Sequence, residues 1–184
     1  MTSPRDPAPP YTGEGPHALW HVSEDPTLRR FEPHLRPGHD ADEPLVWAID
    51  TRHLPLYWFP RDCPRATFWA HEHTSDDDVE RFLDGDRGRR VHVIESAWLE
   101  RMRATRLFAY RMPDATFERH DRFWISRSVV EPLELVEVGD LLALHAGAEI
   151  ELRISPALLD LWDRVVASTL DFSGIRLRNA TLSS

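Results

Sequence analysis

A chain of 184 residues with 41% hydrophobic content and seven Trp can bury a substantial core, and at that length roughly 70% of the unfolded surface is removed from water. Its formal charge of -9, from 31 acidic against 22 basic residues, argues against a dedicated nucleic-acid binder, which needs a basic face for phosphate. Every basic residue is Arg, which excludes Schiff-base lysine, phosphate-loop lysine and Ser-Lys chemistry, and the single Cys63 excludes an intrachain disulfide or a multi-cysteine zinc site. No apolar run reaches the length that crosses a bilayer, and no charged segment followed by an apolar one opens the chain, so the expectation is a soluble, cytoplasmic protein without membrane contact.

Residues 1–16 carry Pro4, Pro7, Pro9, Pro10 and Pro16 with little that is apolar, and read as a disordered tail before a single domain over 17–184. The first element, Ala18 to Asp25, is a strand on which Leu19, His21 and Ser23 share one face and Trp20 and Val22 the other. A polar pair at the end of an apolar strand points to a cleft; a core histidine followed by a turn at Ser23 explains the same residues. Pro26, Leu28 and Phe31 predict about one and a half helical turns ending at Pro33. In the polar loop that follows, His34, His39 and Asp40 are the types that ligate metals, although simple solvation of a Pro/Gly/Asp-rich loop is the preferred reading.

Leu45 to Asp50 is a near-continuous apolar run, the mark of a strand covered on both faces near a sheet centre. Asp50 or Thr51 caps a short helix from near His53 to before Pro60, which sets Tyr57 and Trp58 over the strand end. Pro60 and Pro64 bracket a constrained turn, and Ala66 to Ala70 resumes as a strand. Ser75 caps a helix whose first turn, Asp76 to Asp78, suits the dipole and whose stripe is Val79, Phe82 and Leu83; capping is preferred to a cation site with His71 and His73.

Strands follow at Val91 to Ile94, Arg106 to Met112, Arg122 to Ser126 and Val129 to Val138, the last demoted at its start by Pro132. Ser96 caps a helix through Met102, Asp140 opens a Leu-rich turn to Gly147, and Ile150 to Ile154 is a strand. Ser155-Pro156 starts a helix striped by Leu158, Leu161, Trp162, Val165 and Val166, and Ile175 to Asn179 alternates as a last edge strand. Together these elements predict an α+β fold with mixed or antiparallel sheets and short flanking helices. Dinucleotide fingerprints, phosphate loops, nucleophile elbows and zinc helices are all missing from the sequence.

The strings Leu19-Trp-His-Val-Ser-Glu-Asp-Pro26, Val46-Trp-Ala-Ile-Asp50 and Tyr57-Trp-Phe-Pro-Arg-Asp-Cys-Pro-Arg65 resemble an uncharacterised bacterial family of unknown function. More remotely, the order of a first strand bearing His21 and Ser23, a second strand followed by Tyr57, and a late strand bearing Glu131 is similar to ADP-ribosyltransferase-like folds. Tyr110 is an alternative to Tyr57, and Glu134 or Glu137 to Glu131. That resemblance implies an enzyme that binds NAD and cleaves its nicotinamide–ribose bond, with no metal. His21 with Ser23 would hold ribose hydroxyls, Tyr57 helped by Trp58 or Trp47 would stack on the nicotinamide, Arg61 or Arg65 would grip the pyrophosphate, and the Glu131 carboxylate would stabilise the charge that develops on the ribose.

Two other readings come from the residues themselves. Cys63 between Arg61 and Arg65, with His53, His71 or His73 as base, has the ingredients of a thiol-dependent hydrolase, though an unpaired cysteine between prolines also suits a small buried hydrophobe. The aromatic enrichment at Trp47, Tyr57, Trp58 and Trp69 suits a non-catalytic domain that binds a small molecule or a protein. Geometry separates them: the enzyme of the first kind needs His21, Tyr57 and Glu131 around one cleft, and the interaction domain needs an exposed apolar patch. Oligomeric state is left open.

Overall fold

Two sheets carry the chain, and the computed structural model describes residues 18–35 and 43–181 of it. The expected tail over 1–16 and the loop residues His39 and Asp40 lie outside the described residues. The strands are β1 (Leu19–Ser23), β2 (Val46–Asp50), β3 (Arg65–Trp69), β4 (Arg90–Glu95), β5 (Phe108–Met112), β6 (Glu118–His120), β7 (Phe123–Ser126), β8 (Glu134–Glu137), β9 (Ile150–Ser155) and β10 (Asp171–Ile175). The α-helices are α1 (Asp76–Leu83), α2 (Leu99–Ala104), α3 (Leu141–Gly147) and α4 (Leu158–Val166). This is a mixed α+β fold, with one all-antiparallel sheet in the order β6-β7-β2-β1-β5-β8 and one mixed sheet in the order β10-β3-β4-β9, whose β4–β9 pair is parallel.

Two compact units result: one holds Phe59–Thr105 and the chain from Asp140 on, the other Arg106–Gly139 and the described residues up to Trp58. The cuts fall inside the stretch 17–184 that the sequence presents as one domain. In the four-stranded unit, β3 and β4 turn Ala66, Phe68, Val91 and Val93 to one face, where α1 and α4 lay Val79, Phe82, Leu83, Leu158 and Val165. Ser75 caps α1 by accepting from the Asp78 amide, and the Asp78 carboxylate in turn accepts from the Thr169 amide at 2.8 Å and its hydroxyl at 2.6 Å. The acidic run therefore has a structural task. The opposite face of the same strands carries Arg65, Thr67 and His92.

In the six-stranded unit, β2 lies between β7 and β1 as its apolar run predicts, and Leu19, Val46, Ala48, Tyr110 and Met112 form the cluster on one face with Phe31 and Val130. Leu45, Trp47 and Ile125 cluster separately.

Five sequence expectations need correction. Residues 26–30 are turn and coil rather than helix, because the Asp25 carboxylate accepts from the Thr27 amide at 2.7 Å and the Tyr110 hydroxyl takes the Leu28 amide at 3.2 Å, ahead of any helical ladder. The strand expected over 129–138 shrinks to β8, since Val130 bonds Phe31 instead of the neighbouring β5 and Pro132 has no amide hydrogen to give. Ser96 does not cap α2; it lies inside a 3-10 turn, Ser96–Trp98, that precedes the helix. Val166 on α4 is 46% exposed, one position beyond the buried stripe. Finally, β10 comes earlier than the alternation of Ile175 to Asn179 suggests, and Leu177–Asn179 is a 3-10 turn.

Candidate functional site

The expected site begins on β1, and the register of its neighbours decides what can share a face with His21. Antiparallel partners point the same way, so His21, Tyr110 and Leu135 form one row across β1, β5 and β8, and Ser23, Phe108 and Glu137 form the next. Trp20, Arg111 and Glu134 form a row on the other face. Of the three candidate carboxylates, Glu134 is thereby placed on the side away from His21. Glu131 precedes β8 in an exposed loop, not on a strand as expected.

The β1–β2 ladder stops at the Trp20–Ile49 pair, and beyond it the Trp47 carbonyl takes the His21 Nδ1 at 2.9 Å. A carbonyl only accepts, so Nδ1 carries the proton of this bond. The ring is half-buried, with the Phe31 ring tilted against it at 4.8 Å between centroids. Phe31 also meets Tyr110 edge-on at 5.2 Å, and its backbone exchanges two hydrogen bonds with Val130, of 2.8 and 2.9 Å. The residue after Val130 is Glu131. Phe31 thus joins the His21 ring, the Tyr110 ring and the segment that carries Glu131, a role nothing in the local sequence announces.

The hydroxyls nearby are committed to structure. Tyr110 donates to the Asp25 carbonyl at 2.7 Å while accepting from the Leu28 amide, and burial raises its pKa. Ser23 accepts from the Asp25 amide at 3.1 Å and so begins the turn. Asp25 is held below the usual carboxylate range by the Thr27 hydroxyl and amide. Burial pushes the Asp50 carboxyl up, but the hydrogen bonds and charge of His53 outweigh it and leave the group lowered.

The aromatic and cationic residues expected to complete the site are distributed differently. Tyr57 is half-buried at the end of the 3-10 helix Leu54–Tyr57 that follows β2. Trp58 is wholly buried and belongs to the core, and the Trp47 ring lies on the face away from His21, edge-on to Phe123 at 5.7 Å and to His120 at 5.8 Å. Arg61 and Arg65 belong to the four-stranded unit. There Arg61 is exposed and its carbonyl accepts from Arg176, while Arg65 is buried, donating to the Cys63 carbonyl at 3.0 Å with its guanidinium 5.1 Å from the Phe59 ring. Cys63 is buried too, and desolvation pushes its thiol up to about 12, which works against a thiolate at neutral pH.

Sequence reasoning missed a second polar cluster, in the four-stranded unit. His145 on α3 donates from Nδ1 to the Leu141 carbonyl at 2.7 Å, so its Nε2 accepts from the Nδ1 of His92 at 3.0 Å. Both rings are buried and packed against Phe59, and desolvation holds His92 well below its ordinary value and His145 down to about 4. The His92 Nε2 has no hydrogen-bond partner among the described residues. A histidine four residues after Leu141 in a Leu-rich helix was the available signal. The pair is neutral and faces Arg65 and Arg90, surroundings that oppose a cation. Among the described residues no group of three or more His, Cys, Asp or Glu is placed to hold a metal ion, and no helix is long and apolar enough to cross a membrane.

The family model described as "Family of unknown function (DUF6886)" matches residues 20–180. No curated protein and no solved structure matches the chain.

Proposed function

From the premise that the chain belongs to the family of unknown function DUF6886, we propose that it is an NAD-binding, ADP-ribosyltransferase-like enzyme acting at the His21 corner of the six-stranded unit. The observation that supports this reading is the Phe31–Val130 backbone pair. The Phe31 ring rests on His21 while its peptide group anchors the segment that leads into Glu131, so an imidazole and a carboxylate-bearing loop more than a hundred residues apart meet one aromatic residue.

The residues suit a dinucleotide in kind. His21 is oriented in advance by the Trp47 carbonyl, which lowers the entropy lost when the ring bonds a ribose hydroxyl. The half-buried Tyr57 supplies aromatic surface for the nicotinamide, and neither Arg61 nor Arg65 enters this reading. NAD supplies the scissile nicotinamide–ribose bond. The task of Glu131 is to hold its negative charge where positive charge grows on the sugar: at about 4 Å and an effective dielectric of about 20 that pairing is worth about 4 kcal/mol, or roughly a thousandfold in rate.

Thermal shift and nicotinamide release with NAD test the proposal. NAD should raise the melting temperature of the parent protein and be consumed. His21→Ala should lose the stabilisation, and Glu131→Gln should keep it while release falls roughly a thousandfold. A parent protein that is neither stabilised by NAD nor releases nicotinamide would sink the enzyme reading, and stabilisation without release would leave a small-molecule-binding domain. A second reading, a protein-interaction domain, is favoured by one observation: Val129, Leu133 and Leu135 are 48%, 65% and 39% exposed along a single stretch of chain.

A further inference from the structure

We infer that the outer edge of β8 is a docking site for an extended, basic polypeptide segment that adds a strand to the six-stranded sheet. The inference rests on the interaction reading above and not on NAD. Among the described residues β8 pairs with β5 alone, which makes it an edge of its sheet. The Val138 amide donates to the Leu107 carbonyl, and antiparallel ladders alternate, so the amides and carbonyls of Leu135 and Glu137 point away from β5. Two backbone positions therefore face outward on an exposed strand.

Edges of this sort are ordinarily blunted by shortness, by charge, by Pro or by a covering element, and the four residues of β8 carry charge at both ends. Here Pro132 stands before the strand, not in it, and the positions of β8 itself are Glu, Leu, Val and Glu. Three of the large exposed hydrophobics among the described residues, Val129, Leu133 and Leu135, lie on or beside this edge. Glu131 and Glu134 are exposed between them, and Glu137 is exposed in a pair with Arg106 at 2.8 Å.

Charge selects the occupant. A second copy laid along β8 would bring its own Glu131, Glu134 and Glu137 against these three, doubling the negative charge along one seam. A strand that alternates Arg or Lys with apolar residues would instead set its cations on the face of Glu134 and its apolar side chains on the face of Leu135, where Glu137 already has Arg106 as its partner. The formal charge of -9 on the whole chain steers such a partner inward from a distance. Strand addition supplies affinity through the backbone and selectivity through alternate side chains.

The test uses the full chain and labelled peptides about six residues long: alternating Arg-Val, alternating Glu-Val, and the Arg-Val peptide N-methylated at every second amide. Anisotropy should show the Arg-Val peptide binding at least about tenfold tighter than the Glu-Val peptide, weakening with salt, and the N-methylated peptide failing to bind. Leu135→Pro removes an outward amide while leaving the β5 ladder intact, and should abolish binding with the melting temperature little changed. Glu134→Gln with Glu137→Gln, a second route should the proline variant not fold, should weaken binding about tenfold. Binding that survives N-methylation, or that treats the two peptides alike, overturns the inference, as does no binding at all. A dimer that dissociates on Leu135→Pro would overturn it in favour of self-association. None of these readouts involves NAD, so failure here and failure of the enzyme reading are separate results.

Discussion

His92 and His145 face each other at 3.0 Å, Nδ1 to Nε2, with both rings shut away from solvent and the far nitrogen of His145 bonded to its own helix. The bond needs one acceptor nitrogen between the two rings, so it cannot survive protonation of both. Desolvation lowers both pKa values, that of His145 to about 4, so the unfolded chain takes up these protons at a higher pH than the folded one. A lowered base is stabilising above its unfolded value and loses that stability as pH falls. The stability should therefore drop between about pH 6.5 and pH 4, by up to about 3 kcal/mol for His145 alone. Urea midpoints across that window measure it. The slope should flatten in the double variant His92→Phe, His145→Leu, and an unchanged slope would locate the acid sensitivity elsewhere.

Part of this architecture was legible because its residues speak for themselves. The apolar run Leu45 to Asp50 can only be buried on both sides, and Ser75 ahead of three aspartates is a helix start whatever surrounds it. The failures share another cause. Leu28 and Phe31 have helix-compatible spacing, yet partners from distant parts of the chain, the Tyr110 hydroxyl and the Val130 peptide, claim their backbone. The three exposed residues of β6 carry no apolar pattern at all. At the candidate site, alternation along β1 put His21 and Ser23 on one face, but sorting Glu134 from Glu137 and turning the Trp47 ring away from His21 needed the register of neighbouring strands, which no single strand encodes. His92 and His145 meet only because β4 and β9 run parallel and α3 packs beside β9.

Tyr110 is a second test, of stability rather than chemistry. Its hydroxyl donates to the Asp25 carbonyl and accepts from the Leu28 amide, tying down the turn that leads from β1 to Phe31. Tyr110→Phe leaves both backbone groups to find new partners and should cost about 1–3 kcal/mol in chemical denaturation. Amide exchange should quicken at Leu28 more than at Leu19. Uniform loss of protection along β1 would mean that the hydroxyl supports the whole sheet and not the turn.

Gly174 on β10 shows how tightly the other unit is packed. A methyl group there would come within 2.6 Å of the Trp162 ring and 2.7 Å of Leu177 Cδ1, closer than van der Waals contact allows. The indole also stands edge-on to Phe172 at 5.3 Å, so its retreat disturbs a second ring. Gly174→Ala should destabilise by about 1–3 kcal/mol. Trp162→Leu, which loses packing alone, should make the same glycine substitution cheaper. Equal costs in the two backgrounds, measured as a double-mutant cycle, would show that the ring is not what excludes the methyl group.

Cys63 supplies the last prediction. It is buried beside the Arg65 guanidinium, yet desolvation outweighs that positive charge and pushes the thiol up to about 12. Reaction with an aromatic disulfide reagent requires a thiolate that can be reached, and the folded protein offers neither. Labelling should therefore proceed only through opening of the four-stranded unit, speeding up with urea in step with unfolding. Cys63→Ala should leave NAD-dependent nicotinamide release at the parent level. Rapid stoichiometric labelling of the native protein at neutral pH, or loss of turnover in a Cys63→Ala variant of unchanged melting temperature, would restore the thiol as a reactive group.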